Sequence, residues 1–207
     1  MAKRRPALFD LTLACDAETT GIAFGEVDPT RNPATGEKFQ AVSFGFIVAN
    51  VHTLQPIDEL YVEIQWDESY VWSDGAQAVH GLSREYLKEN GMTREEAAHK
   101  VADFIEKYFG PIDSIRKICL LGHNVATFDR YFLIDLLQSV GRVPQLGNRH
   151  IDTFSLGVVT VDAFSSDELF DMIGIERDPK NHNALDDTKA ALKAARTIKK
   201  LMKAKLD

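Results

Sequence analysis

The amino-acid sequence predicts an α/β protein built on a mixed five-stranded sheet, three strands antiparallel and the later ones parallel, flanked by helices. Three observations carry this prediction. Leu11-Thr-Leu-Ala-Cys-Asp16-Ala-Glu18 alternates at the period of a strand. Two further runs rich in β-branched and aromatic residues follow it before any strong helical pattern, as antiparallel neighbours do. From Thr93 onward amphipathic helical patterns alternate with short apolar runs, the rhythm of parallel strands joined by crossover helices.

The first strand is expected over Leu8 to Ala17. After Gly21, the segment Asp28-Pro-Thr-Arg-Asn-Pro-Ala-Thr-Gly36 is dense in turn formers and reads as a loop or hairpin. Residues 22–38 look like an insertion, with 28–38 expected to form a mobile flap near the site. Gln40 to Asn50 and Glu59 to Gln65 are the next strands, with Val51 to Asp58 as the turn between them. His80 to Leu87 reads as core and turn. Thr93-Arg-Glu-Glu96 is a capping box opening a helix through Ala97, Val101, Phe104, Ile105 and Tyr108, closed by Gly110-Pro111. Ile118 to Gly122 is a short apolar run, as expected of a strand buried on both faces. A helix carrying Tyr131, Phe132, Ile134, Leu136 and Leu137 follows to Gly141, with Asp129 in its first turn. His150 to Thr153 is a short strand, residues 155–173 hold one or two short helices, and a long helix runs from Asn183 towards Leu206.

At 207 residues and 44% hydrophobic, with no Pro/Gly/Ser-rich linker, the chain is expected to be one domain over 1–207, with a basic tail at 1–7. No apolar run is long enough for a signal peptide or a membrane span, so the expectation is a soluble, cytoplasmic protein without a membrane partner. Cys15 and Cys119 lie in apolar strand-like runs without zinc-ligand spacing, which suits buried, reduced thiols. The net charge of −7 has the wrong sign for gripping a long duplex by neutralising many phosphates. A nucleic-acid partner would be held locally, at an end.

Asp16 and Glu18, two residues apart on a strand, point to one face. Two adjacent carboxylates repel and are costly to bury without a cation between them, and a hard divalent metal with oxygen ligands is the economical answer. Taken alone, such a pair more often merely caps a strand in solvent. Two more stretches favour the metal. Asp129 opens one helix; in His182-Asn-Ala-Leu-Asp-Asp187, an Asn183 cap would put Asp187 one turn into another, with His182 just before it. Four acids supply enough oxygen for two divalent ions a few Å apart, the arrangement that clamps both oxygens of a phosphoryl transfer. The blander roles fall elsewhere: Asp186 as a first-turn dipole partner, His80, His123 and Asp152 as structural groups, and Lys189, Lys193, Arg196, Lys200 and Lys203 as a solvated helix face, with guidance of a nucleic-acid strand as that face's alternative role.

Asp16-Ala-Glu18-Thr-Thr-Gly, Asn124 to Phe128-Asp129 and His182-x-Ala184-Leu-x-Asp187 resemble, in order, the three motifs of the DEDDh family of 3′→5′ exonucleases, the DnaQ-like group of the ribonuclease H-like superfamily. Val79-His-Gly-Leu-Ser83 resembles the family's His-Gly-Ile-Thr element. The resemblance spans residues 10–190 and implies a ribonuclease H-like fold. It also implies that Asp16, Glu18, Asp129 and Asp187 hold two Mg²⁺ or Mn²⁺ ions. His182 would then be the general base for the attacking water, and Thr19, Thr20, Asn124 and Phe128 would contact the terminal nucleotide. Three residues separate Asn124 from Phe128 where many members have two, a spacing closer to oligoribonucleases that bears on the angle of Asp129. The implied reaction releases nucleoside 5′-monophosphates from a nucleic-acid 3′ end. Thr19-Thr20 and Phe128 favour single-stranded DNA; an oligoribonuclease-like or RNA-trimming enzyme is the alternative, and a non-cutting nucleic-acid-binding adaptor a further one. Homodimerisation and association with a polymerase stay open.

Overall fold

The computed structural model describes residues 10–114, 117–176 and 183–206. Its strands are β1 (Leu11–Thr19), β2 (Ala41–Asn50), β3 (Pro56–Glu63), β4 (Ile118–Gly122) and β5 (Leu146–Asp152). The helices are α1 (Asp74–His80), α2 (Arg84–Asn90), α3 (Arg94–Phe109), α4 (Asp129–Gln138), α5 (Thr153–Val161), α6 (Ser166–Met172) and α7 (Ala184–Leu206). The sheet runs β3-β2-β1-β4-β5. β1, β2 and β3 pair antiparallel, and β4 and β5 join parallel, as expected of the ribonuclease H-like mixed sheet.

The central place of β1 explains why its polar residues gather at one end. Leu13, Cys15 and Ala17 enter a core with Val101 and Ile105 of α3 and Phe132, Leu133 and Leu136 of α4. Ala14 faces the other way, with Ile47 and Leu121, against Ala191, Leu192 and Ala195 of α7. With both faces covered, Thr12 must satisfy its hydroxyl internally, and donates it to the Cys119 carbonyl at 2.8 Å. Beyond its first residue, Leu11, burial relaxes at Asp16 and Glu18, on the face shared with Ala14, towards the C-terminal end of β1.

α7 is seated on that face by two residues. Gly45 of β2 lies opposite Asp16, and a Cβ there would fall inside the backbone of Ala184 and Leu185, so only glycine permits the approach. Thr188 donates its buried hydroxyl to the Gly45 carbonyl at 3.1 Å and to the Ala184 carbonyl at 2.7 Å. Asn183 caps the helix as expected, its side-chain oxygen accepting from the Leu185 and Asp186 amides.

The capping box of Thr93 and Glu96 opens α3 as expected. Other boundaries moved: β1 extends to Thr19, and β3 and β5 begin earlier, at Pro56 and Leu146. His80 to Leu87, expected as core and turn, does bury His80 and Leu87 around a turn at 81–83, but that turn joins two unexpected short helices, α1 and α2, capped by Ser73 and Ser83, whose hydroxyls accept from the Ala76 and Tyr86 amides. Of the cysteines, Cys15 is buried and Cys119 half-buried, both free thiols. Residues 28–38 form a short hydrogen-bonded hairpin, with Asn32 donating to Glu37 O at 2.9 Å and Phe39 to Thr30 O at 2.8 Å. Among the described residues, no helix is long and apolar enough to cross a membrane.

Candidate active site

Carboxylate oxygens of Asp16, Glu18 and Asp187 lie within 4.8 Å of one another. Strand alternation brings the first two together, and the close seat of α7 delivers the third from a position 169 residues later in the chain than Glu18. Asp129, the first residue of α4, is only 2% exposed. Burial pushes its carboxyl up to about 7, with the charges of Glu18 and Asp152 adding to the rise and backbone hydrogen bonds at Asp129 and Ala17 opposing it. The influence of Glu18 places Asp129 in the electrostatic reach of the same cluster. Such a set of carboxylate oxygens is what a hard divalent cation takes, and a cation would offset the burial, and to a lesser degree the neighbouring charges, that raise the Asp129 pKa.

The turn presenting Asp129 is fixed by the residues before it. Asn124 adopts a left-handed conformation with φ of 59° and its carbonyl accepts from the amides of Thr127 and Phe128. The Asn124 amide donates to Asp152, whose carboxylate also accepts from the Phe154 amide and caps α5. Asp152 therefore ties the turn before α4 to the start of α5. The longer Asn124 to Phe128 spacing is accommodated by this compact turn.

Beside the acids lies a cavity of about 690 Å³, lined by Glu18, Thr19, Phe39, Phe128, Ser73 and His80 among others. Thr19 and Phe128 are thus placed at the expected pocket. Thr20 and Asn124 are placed differently: Thr20 is fully buried with its hydroxyl accepting from the Gln40 amide at 3.1 Å, and Asn124 is exposed outside the cavity lining. The physical reason for Thr20 is a register shift between Glu18 and Thr19, which ends the strict alternation read from the sequence. His80 is buried at the cavity wall, its Nδ1 accepting from the Leu82 amide at 3.0 Å, and burial lowers its pKa to about 4. It is neutral near physiological pH, a wall rather than a charge. Residues of this wall that the sequence reading left out, Ser73, Gly75 and Ala76, come from α1 and its cap. His182, the expected general base, lies outside the described residues.

The exonuclease family model of the RNase T type matches residues 13–195. The chain belongs to this exonuclease family. Its fold is similar to that of Escherichia coli exonuclease I in complex with a dT13 oligonucleotide, with a TM-score of 0.70 at 18% identity over 94% of this chain and 43% of that one. It is likewise similar to the nuclease domain of 3′hExo, a DEDDh family member bound to rAMP, with a TM-score of 0.66 at 17% identity over 95% and 94% of the two chains. A 3′-exonuclease that recognises the histone mRNA stem-loop matches with a TM-score of 0.63 at 17% identity over 94% and 83%. The chain thus spans less than half of exonuclease I. No curated protein matches it. The resembling stretches of β1, α4 and α7 thus contribute Asp16 and Glu18, Asp129 and Asp187 to one neighbourhood.

Proposed function

We propose that this chain is a divalent-metal-dependent 3′→5′ exonuclease that hydrolyses the terminal phosphodiester of single-stranded DNA and releases nucleoside 5′-monophosphates. The observation that carries the reading is the convergence of Asp16, Glu18 and Asp187 within 4.8 Å at the edge of a nucleotide-sized cavity. Asp16, Glu18, Asp129 and Asp187 would hold two Mg²⁺ or Mn²⁺ ions, which supply Lewis-acid stabilisation of charge at the phosphoryl oxygens when bound. Thr19 and Phe128 receive the terminal nucleoside, the aromatic ring offering a face for base or sugar. His182 accepts the proton of the attacking water as the new P–O bond forms and the bond to the 3′ oxygen breaks. The leaving 3′ oxygen takes up a proton to become the hydroxyl of the shortened strand.

A second reading, an exoribonuclease, is supported by the Asn124 to Phe128 spacing and by structural relatives whose own partners are RNA. One experiment tests both. A 3′-labelled single-stranded oligomer is supplied as DNA and as RNA, with Mg²⁺, Mn²⁺, Ca²⁺ or EDTA. Mononucleotide release from DNA with Mg²⁺ or Mn²⁺ is the expected result, with neither EDTA nor Ca²⁺, which prefers looser and higher coordination, supporting it. Full activity in EDTA overturns the metal assignment, and faster release from RNA establishes the second reading.

A further inference from the structure

α1 supplies one wall of the cavity beside the acids, and that wall is held from outside. Ser73, Gly75, Ala76, Val79 and His80 line it, yet α1 buries only one of its seven residues, His80. A helix so short and so little buried owes its place to its contacts rather than to its own stability. Those contacts are aromatic. Trp72, just before the Ser73 cap, sets its ring edge-on to His80 with ring centres 6.1 Å apart, and donates its indole N–H to Gln77 of α1 at 3.1 Å. The backbone on either side of Trp72 is fixed, the Val71 amide donating to the Lys38 carbonyl at 2.8 Å and the Ser73 amide to the Thr20 carbonyl at 2.7 Å. Trp66 packs edge-on against Trp72, with ring centres 5.6 Å apart, and donates to the Tyr70 carbonyl at 3.0 Å. Arg84, the first residue of α2, closes the stack: its guanidinium lies 5.3 Å from the centre of the Trp66 ring and 5.6 Å from that of Trp72. Arg94 offers a contrast. Its guanidinium lies 5.2 Å from the Tyr70 ring but is also ion-paired with Asp135, whereas exposed Arg84 has no carboxylate partner among the described residues.

We infer that Arg84 and Trp72 are positioning residues that hold the α1 wall where it closes on the terminal nucleoside, so that capture of the 3′ end depends on a cation–indole stack outside the cavity. The inference rests on the nuclease reading above. Arg84, Trp66 and Trp72 do not line the cavity, so they act on it through His80 and Gln77. Both indoles also lie outside the buried core clusters, and the stack is therefore a separate support for α1 rather than an extension of the core. The acids stand on β1, α4 and α7, none of which carries the stack. Loosening it should move the wall and leave the metal cluster in place. An arginine over an indole is favoured because the positive charge meets the negative face of the ring, and each such contact at an exposed site shifts an equilibrium by about two- to fivefold.

The test compares the wild-type protein with three variants. Arg84→Met keeps an apolar stem and loses the charge, Arg84→Lys keeps a cation, and Trp72→Phe keeps a ring against His80 but loses the N–H to Gln77. Turnover of single strands is measured in Mg²⁺, and calorimetry gives the affinity for Mn²⁺ and, in Ca²⁺, for thymidine 5′-monophosphate (dTMP), the proposed kind of product. The chain's two tryptophans both belong to the stack, so intrinsic emission reads the stack directly. Saturating dTMP should shift that emission in the wild type. Arg84→Met should raise KM and the dTMP Kd by about fivefold and lose the shift, with kcat and Mn²⁺ affinity within about twofold of wild type. Arg84→Lys should recover most of the lost affinity, and Trp72→Phe should raise KM and the dTMP Kd in the same direction as Arg84→Met. If the wild type cleaves but Arg84→Met matches it in KM and in dTMP affinity, the inference is refuted while the nuclease reading stands, and a lower melting temperature alone would assign the stack to stability. A loss confined to kcat, or wild-type emission that dTMP does not move, overturns it as well. If the wild type releases nothing from DNA or RNA, the nuclease reading itself fails, and the inference with it.

Discussion

At the scale of single residues, the acids do different work even though all are carboxylates. Asp129 holds its proton to about 7 because it is buried near Glu18 and Asp152, whereas its ordinary value is 3.8. A carboxyl whose folded pKa is raised binds more protons folded than unfolded between those values, so the metal-free protein should lose stability as pH climbs from about 4 to about 7. Divalent metal requires the ionised form, so Mn²⁺ affinity should rise over the same interval and proton release should accompany binding. Thermal melts in EDTA and calorimetric titration of Mn²⁺ at several pH values check both, and a flat dependence in each would show that Asp129 stays outside the cluster. The proposed division of labour gives a second outcome. Asp16→Asn should weaken both Mn²⁺ binding and rate, whereas His182→Ala should cost about 10²–10⁴-fold in rate with metal affinity nearly intact. His182→Ala should also remove the acid limb of the pH profile, so single-turnover rates across pH separate the two roles. Loss of metal in His182→Ala as severe as in Asp16→Asn would move the histidine into the metal shell. The convergence of Asp16 with Glu18 was legible because strand period is rigid over three residues. The burial of Thr20 was not, because a register shift at Glu18/Thr19 resets which face each later side chain takes.

At the scale of elements, the site depends on how closely α7 lies on the sheet. Asp187 reaches Asp16 and Glu18 because Gly45 lets the first turn of α7 approach β2 and Thr188 pins that turn to the Gly45 carbonyl. Gly45→Ala should therefore act twice. The added methyl meets backbone, which cannot rotate away, so stability should fall by about 1–3 kcal/mol, the usual cost of overpacking. The first turn of α7 must also shift, so Mn²⁺ affinity should fall although no acid has been changed. Thr188→Val keeps the shape but removes the hydroxyl, and should lower stability by about 1 kcal/mol with a smaller effect on metal. Chemical denaturation with a parallel Mn²⁺ titration measures both, and Gly45→Ala with unaltered metal affinity would show that α7 is positioned by its other contacts. The helices α3 and α7 were readable from caps and long apolar stripes, while α1 and α2, seven residues each, are too short for periodicity to register. Their readable signals were Ser73 and Ser83, serines at N-cap positions, and without a following apolar period these look like turn residues. That omission hid the cavity wall, since Ser73, Gly75 and Ala76 belong to α1 and its cap.

At the scale of the whole molecule, the net charge of −7 bears on how a polyanion could be held at all. A protein that grips nucleic acid through many phosphates neutralises each with Lys or Arg and loses affinity steeply with salt, because each contact releases condensed counterions. Among the described residues, several cations of α7 are engaged with the protein itself rather than laid out as such a track. Lys189 is paired with Glu59 and Asp186, Arg196 donates to Gln55, and Lys199 donates to the Val51 and His52 carbonyls, so much of the basic face of α7 is engaged with the protein's own surface. The proposed contacts are instead local: a carboxylate cluster for metal and a cavity for one nucleoside. Binding of a single-stranded end should then involve about two phosphates, which corresponds to a slope near −1.4 for log affinity against log salt. Raising KCl from about 50 to about 200 mM should weaken binding roughly sevenfold, where six or more contacts would cost hundreds-fold or more. Fluorescence titrations of single strands of 5, 10 and 20 nucleotides across that range, at fixed Ca²⁺, measure the slope directly. The slope should be the same for all three lengths, because the proposed contacts are confined to the 3′ end. A slope that steepens with length would reveal a phosphate-binding track, and Lys189 of α7, released from Glu59 and Asp186, would be the first residue to examine by charge reversal.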